Sequence, residues 1–345
     1  MRLIALLILL STHLHADVDM TFVGDVTLGT DSRFSGKTFT WQYNLVKNPA
    51  WFTDNIRGLL DKDDLTVANL EGVIADNIFS YQLTWVGSEA QSFSRIFKGN
   101  HPDVRETFDM GNDTGADEGH YAATDYKIVE NNVFPSLRTY RFKGKPEYLN
   151  ILKQGSIELV NIANNHLSKD YGMTGLNETK KNLDAYGIDY YGYSKVFKRE
   201  INGSKVCVCG NEGFDSKVYK NVMLNIKELR SSCDILIYTF HWGIERDYAP
   251  TEFQTRLAHY VIDNGADLVV GHHPHVIQPI EYYKGKPIVY SLGNFIFGGN
   301  NNPSDLDAMV YQIKFKSDKT YEDKPVLVEI SSETNRNNFK PQLKK

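Results

Sequence analysis

The sequence predicts an α/β layered fold, and two observations carry that expectation. Apolar runs of strand length alternate with stretches of helical period, and polar or ionisable groups recur at the exits of the runs. A third observation sets the scale. With 345 residues, 41% of them apolar, and a formal net charge of -5, the chain can bury a full core as one large or two modest domains. It carries no basic footprint of the kind that binding to a phosphate backbone needs, so nucleic acid is not an expected partner.

Met1-Arg2 gives a short positive end, Leu3 to Leu10 is continuously apolar, and Ser11 to Ala16 is more polar and ends in a small residue. Residues 1–16 therefore read as a signal peptide, too short in its apolar part for the roughly 20 residues of a spanning helix. The expected location is periplasmic or extracellular, with membrane anchoring if the signal is not cleaved.

Residues 17–330 read as one domain. Val18 to Val23 is a first strand that stops at Gly24-Asp25, and the apolar spacing of Trp51, Phe52, Ile56, Leu59 and Leu60 predicts a helix. Asp64 to Leu70 is a second strand, and Glu71-Gly72 follows it. From about 76 to 146 the periodicity dissolves into turn formers and acids, which predicts a solvated insertion, with a lid over the site as the sharper alternative. Helix Glu147 to Gln154 stops at Gly155, strand Ile157 to Ala163 leads into Asn164-Asn165-His166, and helix Thr174 to Tyr186 is closed by Gly187 before strand Ile188 to Tyr191.

The second half repeats the theme. Strand Asp234 to Phe240 runs into His241, Thr251 and Gln254 have capping-box spacing at the head of a helix to Asn264, and strand Asp267 to Gly271 delivers His272-His273-Pro274-His275. A hairpin is expected across Lys284-Gly285, with late strands at Ala308 to Phe315 and Val326 to Ser331. The polar tail 331–345 is expected to fray.

Three cysteines, Cys207, Cys209 and Cys233, are too few and odd in number for a disulfide scaffold. Cys207 and Cys209 lie two apart in a strand, where they read as small buried hydrophobes rather than a metal or redox pair.

Position carries more information than residue type. Taken singly, Asp25 or Glu71 could cap a helix, Asn165 could sit in a turn, and His241 could be a satisfied buried imidazole. Yet Asp25, Glu71, Asn165 with His166, His241, and His273 with His275 all fall at or just beyond strand ends, and the carboxyl ends of an α/β sheet share one rim where ligands bind. Such a mixed oxygen and nitrogen set suits one or two divalent cations, manganese, iron or zinc rather than magnesium, and the absence of cysteine disfavours a structural zinc site.

Phe22-Val23-Gly24-Asp25, Asn69-Leu70-Glu71, Asn164-Asn165-His166 with Asp170-Tyr171-Gly172, His241-Trp242-Gly243 with Glu245, Gly271-His272-His273-Pro274-His275 and Ser291-Leu292-Gly293-Asn294-Phe295 together resemble the bacterial CapA/PgsA capsule-synthesis family, within the calcineurin-like metallophosphoesterase superfamily. The resemblance implies a four-layered α-β-β-α sandwich of two packed mixed sheets. It implies Asp25, Asn165, His241, His273 and His275 as metal ligands, Glu71 as a bridging carboxylate, His166 as an acid or charge stabiliser facing the substrate, and His272 as a neighbour that orients the loop. Thr27 stands where ordinary phosphoesterases supply a histidine, so one cation position is expected to be weak.

Three functions compete on this reading. One is a metal-dependent hydrolase of a phosphoester or a γ-glutamyl amide, with His166 and Glu71 as its catalytic groups. The second is a non-catalytic partner of an anionic surface polymer or of its synthesis machinery, such as a membrane-associated synthase complex, in poly-γ-glutamate synthesis or export. A plain glycan-binding module, suggested by 12% aromatic residues, is the third.

Overall fold

The computed structural model describes residues 16–31, 34–76, 83–85, 126–128 and 140–344. The expected signal peptide and most of the expected insertion lie outside the described residues. Of the insertion, two short strands, Leu83–Trp85 and Tyr126–Ile128, pair with each other, and its end returns as Lys143–Gly144 beside Val73–Ile74.

Two mixed sheets pack face to face. In chain order the first collects β1 (Val18–Thr27), β2 (Leu65–Leu70), β3 (Leu159–Asn161) and β4 (Asp189–Tyr191), all parallel. Helices α1 (Phe39–Val46), α2 (Asn150–Gln154), α3 (Asn165–Lys169) and α4 (Gly172–Tyr186) lie between them in sequence. The chain then builds the second sheet from β5 (Phe197–Ile201), β6 (Ser204–Gly213), β7 (Ile235–Trp242), β8 (Leu268–His272), β9 (Ile277–Tyr283) and β10 (Lys286–Leu292), in the order β9-β10-β8-β7-β6-β5. Helix α5 (Val218–Leu229) precedes β7 and α6 (Glu252–Asp263) precedes β8. Finally β11 (Asn294–Phe297) pairs with the end of β1, and β12 (Asp307–Phe315), β13 (Tyr321–Glu329) and β14 (Gln342–Leu343) extend the first sheet by antiparallel pairing.

The alternation of side chains along a strand divides the core into layers. Val18, Met20 and Phe22 of β1 point between the sheets, where they meet Val206, Val208, Ile237 and Val270. Val23 and Val26 point the other way, onto Phe39, Ile151, Leu176 and Leu183 of the helices. Behind the second sheet, Leu236, Tyr238 and Phe240 pack on Val222 and Ile226 of α5 and on Leu257 and Val261 of α6. The expected helix-sheet-sheet-helix order is what the chain adopts.

Local signals hold at several points. Thr251 and Gln254 form the reciprocal capping box of α6. Lys284 and Gly285, with φ of 50° and 73°, make the tight hairpin between β9 and β10. Other expectations change.

The Trp51 to Leu60 helix is broken into a 3-10 turn at Pro49–Phe52 and a single helical turn at Arg57–Leu60, although Phe52, Ile56 and Leu60 still face the core. Pro49 starts the first turn under an Asn48 cap, and the tighter 3-10 winding keeps it short. The second of the two expected late strands is β13, which starts at Tyr321 and ends at Glu329 instead of running from Val326 to Ser331, because it follows β12 in register from Phe315↔Tyr321 to Asp307↔Glu329.

The C-terminal stretch is not frayed. Phe339 is buried against Phe39, Asn337 donates to the Phe297 carbonyl at 3.1 Å, and β14 pairs with β13. The cysteine reading is also revised. Cys207 and Cys209 are both buried, but Cys207 is bonded to Cys233 and Cys209 alone is free. Cys233 precedes β7, the neighbour of the Cys207 strand, so parallel pairing brings two distant cysteines together.

Candidate metal centre

The two sheets bring their strand ends to one seam, and every residue expected at the rim arrives there. Asp25 comes from β1, Glu71 from the exit of β2, and Asn165 and His166 from the start of α3. From the second sheet come His241 on β7 and His272, His273 and His275 at the end of β8.

Two glycines let the backbones close up just before these side chains. A Cβ on Gly24 would stand 2.1 Å from the Gly293 carbonyl oxygen, and one on Gly271 would stand 2.1 Å from that of Tyr290. His273 and His275 hold φ of 98° and 57°, left-handed conformations that a non-glycine residue adopts at a cost of about 1 to 3 kcal/mol. The turn around Pro274 is braced by Arg246, whose amide donates to the Pro274 carbonyl at 2.8 Å.

The donor atoms converge. His241 Nε2 is 2.8 Å from Asn165 Oδ1 and 3.1 Å from His273 Nδ1. Glu71 Oε1 lies 3.6 Å from His241 Nε2, 3.6 Å from His166 Nε2 and 3.8 Å from His275 Nε2. Glu71, His273 and His275 can each offer an atom within 4.8 Å of the others. Donors about 2.1 Å from a common cation stand about 3.0 Å apart at right angles and about 3.4 Å apart at the tetrahedral angle, so this spacing is of the right size.

Satisfaction of polar atoms tests the fit. Glu71 is fully buried, and neither carboxylate oxygen has a hydrogen-bond partner. A buried carboxylate without hydrogen bonds costs several kcal/mol, and the imidazole nitrogens facing Glu71 stand 3.6 to 3.8 Å away, beyond hydrogen-bond distance. A divalent cation among Glu71, Asn165, His241, His273 and His275 would answer that demand, so the residues fit the group that the resemblance in sequence implies.

The electrostatics follow from burial and from neighbours. Burial pushes the Glu71 carboxyl up to about 7, against the opposing pull of His275. Burial and the neighbouring His273 hold His241 well below the usual imidazole range, while burial and His275 take His273 down to about 3. Burial also lowers His272. Each shift favours the neutral imidazole, the form in which His241 and His273 could ligate.

His275 goes the other way. Burial would lower it, but the Glu71 and Asp25 carboxylates outweigh that and raise it to about 10. His166 is raised as well, because Asp170, 2.9 Å from its Nδ1, and Glu71 overcome the effect of burial. Burial alone would raise Asp25, yet hydrogen bonding and charge from His275, with His272 and Asn69, bring it below its ordinary value.

Several supporting residues carried no role in the sequence reading. Asn69 Nδ2 donates to Asp25 Oδ1 at 2.8 Å and meets His241 Nδ1 at 3.2 Å, while its Oδ1 accepts from Asn161 at 3.0 Å and Asn164 at 3.3 Å. Asp170 orients His166, and Asn294 Oδ1 meets His275 Nδ1 at 2.9 Å. Asparagines inside otherwise apolar strands, as at Asn69 and Asn161, are the signal that could have found part of this network, since a buried amide requires partners. Three phenyl rings line the imidazoles: Phe142 lies 4.5 Å from His166, Phe214 4.9 Å from His273 and Phe297 4.9 Å from His275 between ring centroids. Phe142 belongs to the returning end of the insertion, and its amide donates to Asp170 at 2.8 Å.

Comparison with known proteins bears on the chain's family. Residues 127–299 match the family described as bacterial capsule synthesis protein PGA_cap, half of the chain. The chain belongs to this family. Among its relatives, the PGA biosynthesis protein CapA of Bacillus subtilis (strain 168) is 34% identical over 203 residues, 52% of this chain and 53% of that protein. The capsule biosynthesis protein CapA of Bacillus anthracis is 31% identical over 198 residues, covering 50% of this chain and 46% of its own. The PGA_cap chain thus spans about half the length of the curated relatives it matches. A hypothetical protein of Thermus thermophilus aligns with 90% of this chain and 99% of its own at 13% identity, with a TM-score of 0.49.

Proposed function

We propose that the chain is an exported member of its family that acts in the synthesis or export of a poly-γ-glutamate type surface polymer, through a divalent cation held at the seam between the sheets. The observation that carries the cation is the bare, fully buried Glu71 carboxylate facing the Nε2 atoms of three imidazoles. The polymer rests on the family match and on the similarity to the PGA and capsule biosynthesis proteins of the two Bacillus species. Manganese, iron or zinc suits a set of imidazoles, one amide oxygen and one carboxylate.

Within this reading a bound cation would supply Lewis acidity and, by lowering the pKa of water to about 7, a source of hydroxide. The chain's residues do the rest. Glu71, Asn165, His241 and His273 fix the position, His275 completes the set, and Asn69 holds Asp25 and His241 from beneath. The phenyl rings of Phe142, Phe214 and Phe297 flank the imidazoles. The partner would be the anionic polymer itself or the machinery that assembles it.

A second reading has its own observation. The Asp170 carboxylate orients His166 and raises its pKa, with Nε2 turned toward Glu71, which is the arrangement of a proton donor beside a reacting group. That favours turnover, as hydrolysis of a phosphoester or of a γ-glutamyl amide. Deletion of the gene, complemented by the wild type, His273→Ala or His166→Ala, separates the two. A polymer role predicts loss of surface polymer on deletion and on His273→Ala. Turnover predicts that His166→Ala keeps its cation and loses hydrolysis of model phosphodiesters or γ-glutamyl amides. Normal polymer after deletion would overturn the first reading.

A further inference from the structure

Resting on the reading of this seam as a cation site, we propose that it holds a single cation at Glu71 and that Asp25 is a positioning residue acting through His275 rather than a ligand. The two carboxylates of the site are in opposite situations. Both oxygens of Glu71 are bare. Those of Asp25 are occupied: Oδ1 accepts from Asn69 Nδ2 at 2.8 Å, and Oδ2 accepts from the His273 amide at 3.3 Å and meets His275 Nδ1 at 3.1 Å.

The orientation of His275 follows from Asn294. Its Nδ2 donates to the His275 carbonyl at 3.2 Å, which leaves Oδ1 as the atom 2.9 Å from His275 Nδ1. With an amide oxygen on one side and the Asp25 carboxylate on the other, Nδ1 carries a proton. The nitrogen left to bind a cation is Nε2, the one turned toward Glu71 at 3.8 Å. Carboxylate, imidazole and cation then stand in the order in which an outer carboxylate fixes the tautomer and orientation of a ligating histidine.

A second cation beside Asp25 would have to compete with the Asn69 amide, the His273 amide and His275 Nδ1 for the Asp25 carboxylate, and accept the neutral hydroxyl of Thr27 as a ligand. Thr27 is buried and its Oγ1 has no partner, but it offers one weak oxygen in place of a strong donor. The orphaned negative charge is at Glu71, and one cation there satisfies it.

The test is metal stoichiometry, with no need for an assay of turnover. Full-length protein is equilibrated with Mn(II), freed of excess by gel filtration, and measured by elemental analysis and electron paramagnetic resonance. The expected result is one equivalent with the hyperfine pattern of an isolated ion. Asp25→Asn should retain one equivalent with affinity weaker by about 10- to 100-fold, the usual effect of removing an outer-shell partner. Glu71→Gln should bind none. Two equivalents in the wild type, or an exchange-coupled spectrum, would overturn the single-cation assignment while leaving the cation site standing. If a folded Asp25→Asn protein loses its cation as completely as Glu71→Gln, Asp25 is a ligand. No bound Mn(II) in the wild type would remove the site reading itself. Should Asp25→Asn fail to fold, the wild-type stoichiometry and spectrum still decide the number of cations.

Discussion

Replacing Asn69 by leucine keeps the approximate volume of the side chain and deletes its hydrogen bonds, so it isolates the amide network under the site. Asn69 is fully buried. Asn164 keeps its 2.8 Å bond to the Leu70 carbonyl, and Asn161 keeps a longer one of 3.4 Å to Ala163. Asp25 Oδ1 and His241 Nδ1 lose their nearest partner. Each buried polar group left bare costs about 1 to 3 kcal/mol, so two give a loss of about 2 to 6 kcal/mol. At roughly 2 °C per kcal/mol for a chain of this size, the melting temperature should fall by about 4 to 12 °C. Thermal unfolding followed by circular dichroism, with chelator and then with Mn(II), measures this. The stabilisation by Mn(II) should also shrink, since the Asn69 contact holds a ligating histidine. An Asn69→Leu protein that melts with the wild type and gains as much from Mn(II) would refute the argument that this amide supports the site.

Asn69→Asp should do more damage near pH 8 than near pH 5, because it sets a second carboxylate against Asp25 that is relieved only by taking up a proton; paired melts at the two pH values check it. Because burial brings Glu71 up to about 7, the cation-free carboxylate takes up a proton as pH falls through that value, so Mn(II) affinity by calorimetry should weaken from about pH 8 to about pH 6. Asp63, partly exposed, is raised by burial from 3.8 to about 6, so the folded state binds the proton more tightly and stability falls as pH rises between those values. Asp63→Asn should remove that slope and stabilise the protein above pH 6 by at most about 3 kcal/mol, and nearer 1 kcal/mol after solvent screening, as read from urea unfolding. Cys233→Ser opens a bridge between residues 26 apart and should cost about 3 kcal/mol in the same assay.

Strand ends were legible because two regularities coincide in them. A strand buried on both faces reads as a continuous apolar run, and a polar residue interrupts that run near its carboxyl end, at Asp25 and His241 inside β1 and β7, which run on to Thr27 and Trp242, and at Glu71 just after β2. Helix α6 was legible from its own cap. What stayed hidden depends on partners remote in sequence. The Cys207 bridge requires β6 and β7 to be neighbours, and the burial of Phe339 requires α1 to be placed first. Asn69 reaches 172 residues to His241, and Asp25 reaches 248 to the His273 amide. No local pattern encodes such pairs, although the apolar setting of Asn69 shows that some partner must exist.

The same separation in sequence tells how the site is assembled. Asp25, Glu71, Asn165 and His166 come from the first sheet, and His241, His272, His273 and His275 from the second, so no ligand set exists until the two sheets have packed through Phe22, Val67, Val208 and Val270. A cation that binds only this packed state stabilises it by RT ln(1 + [L]/Kd), about 2.7 kcal/mol at a hundredfold excess over Kd. The stabilisation falls on the contact between the sheets rather than on either sheet alone. Hydrogen exchange should therefore slow on both β2 and β7 when Mn(II) is added. Protection confined to one sheet would mean that the ligands on the other do not take part.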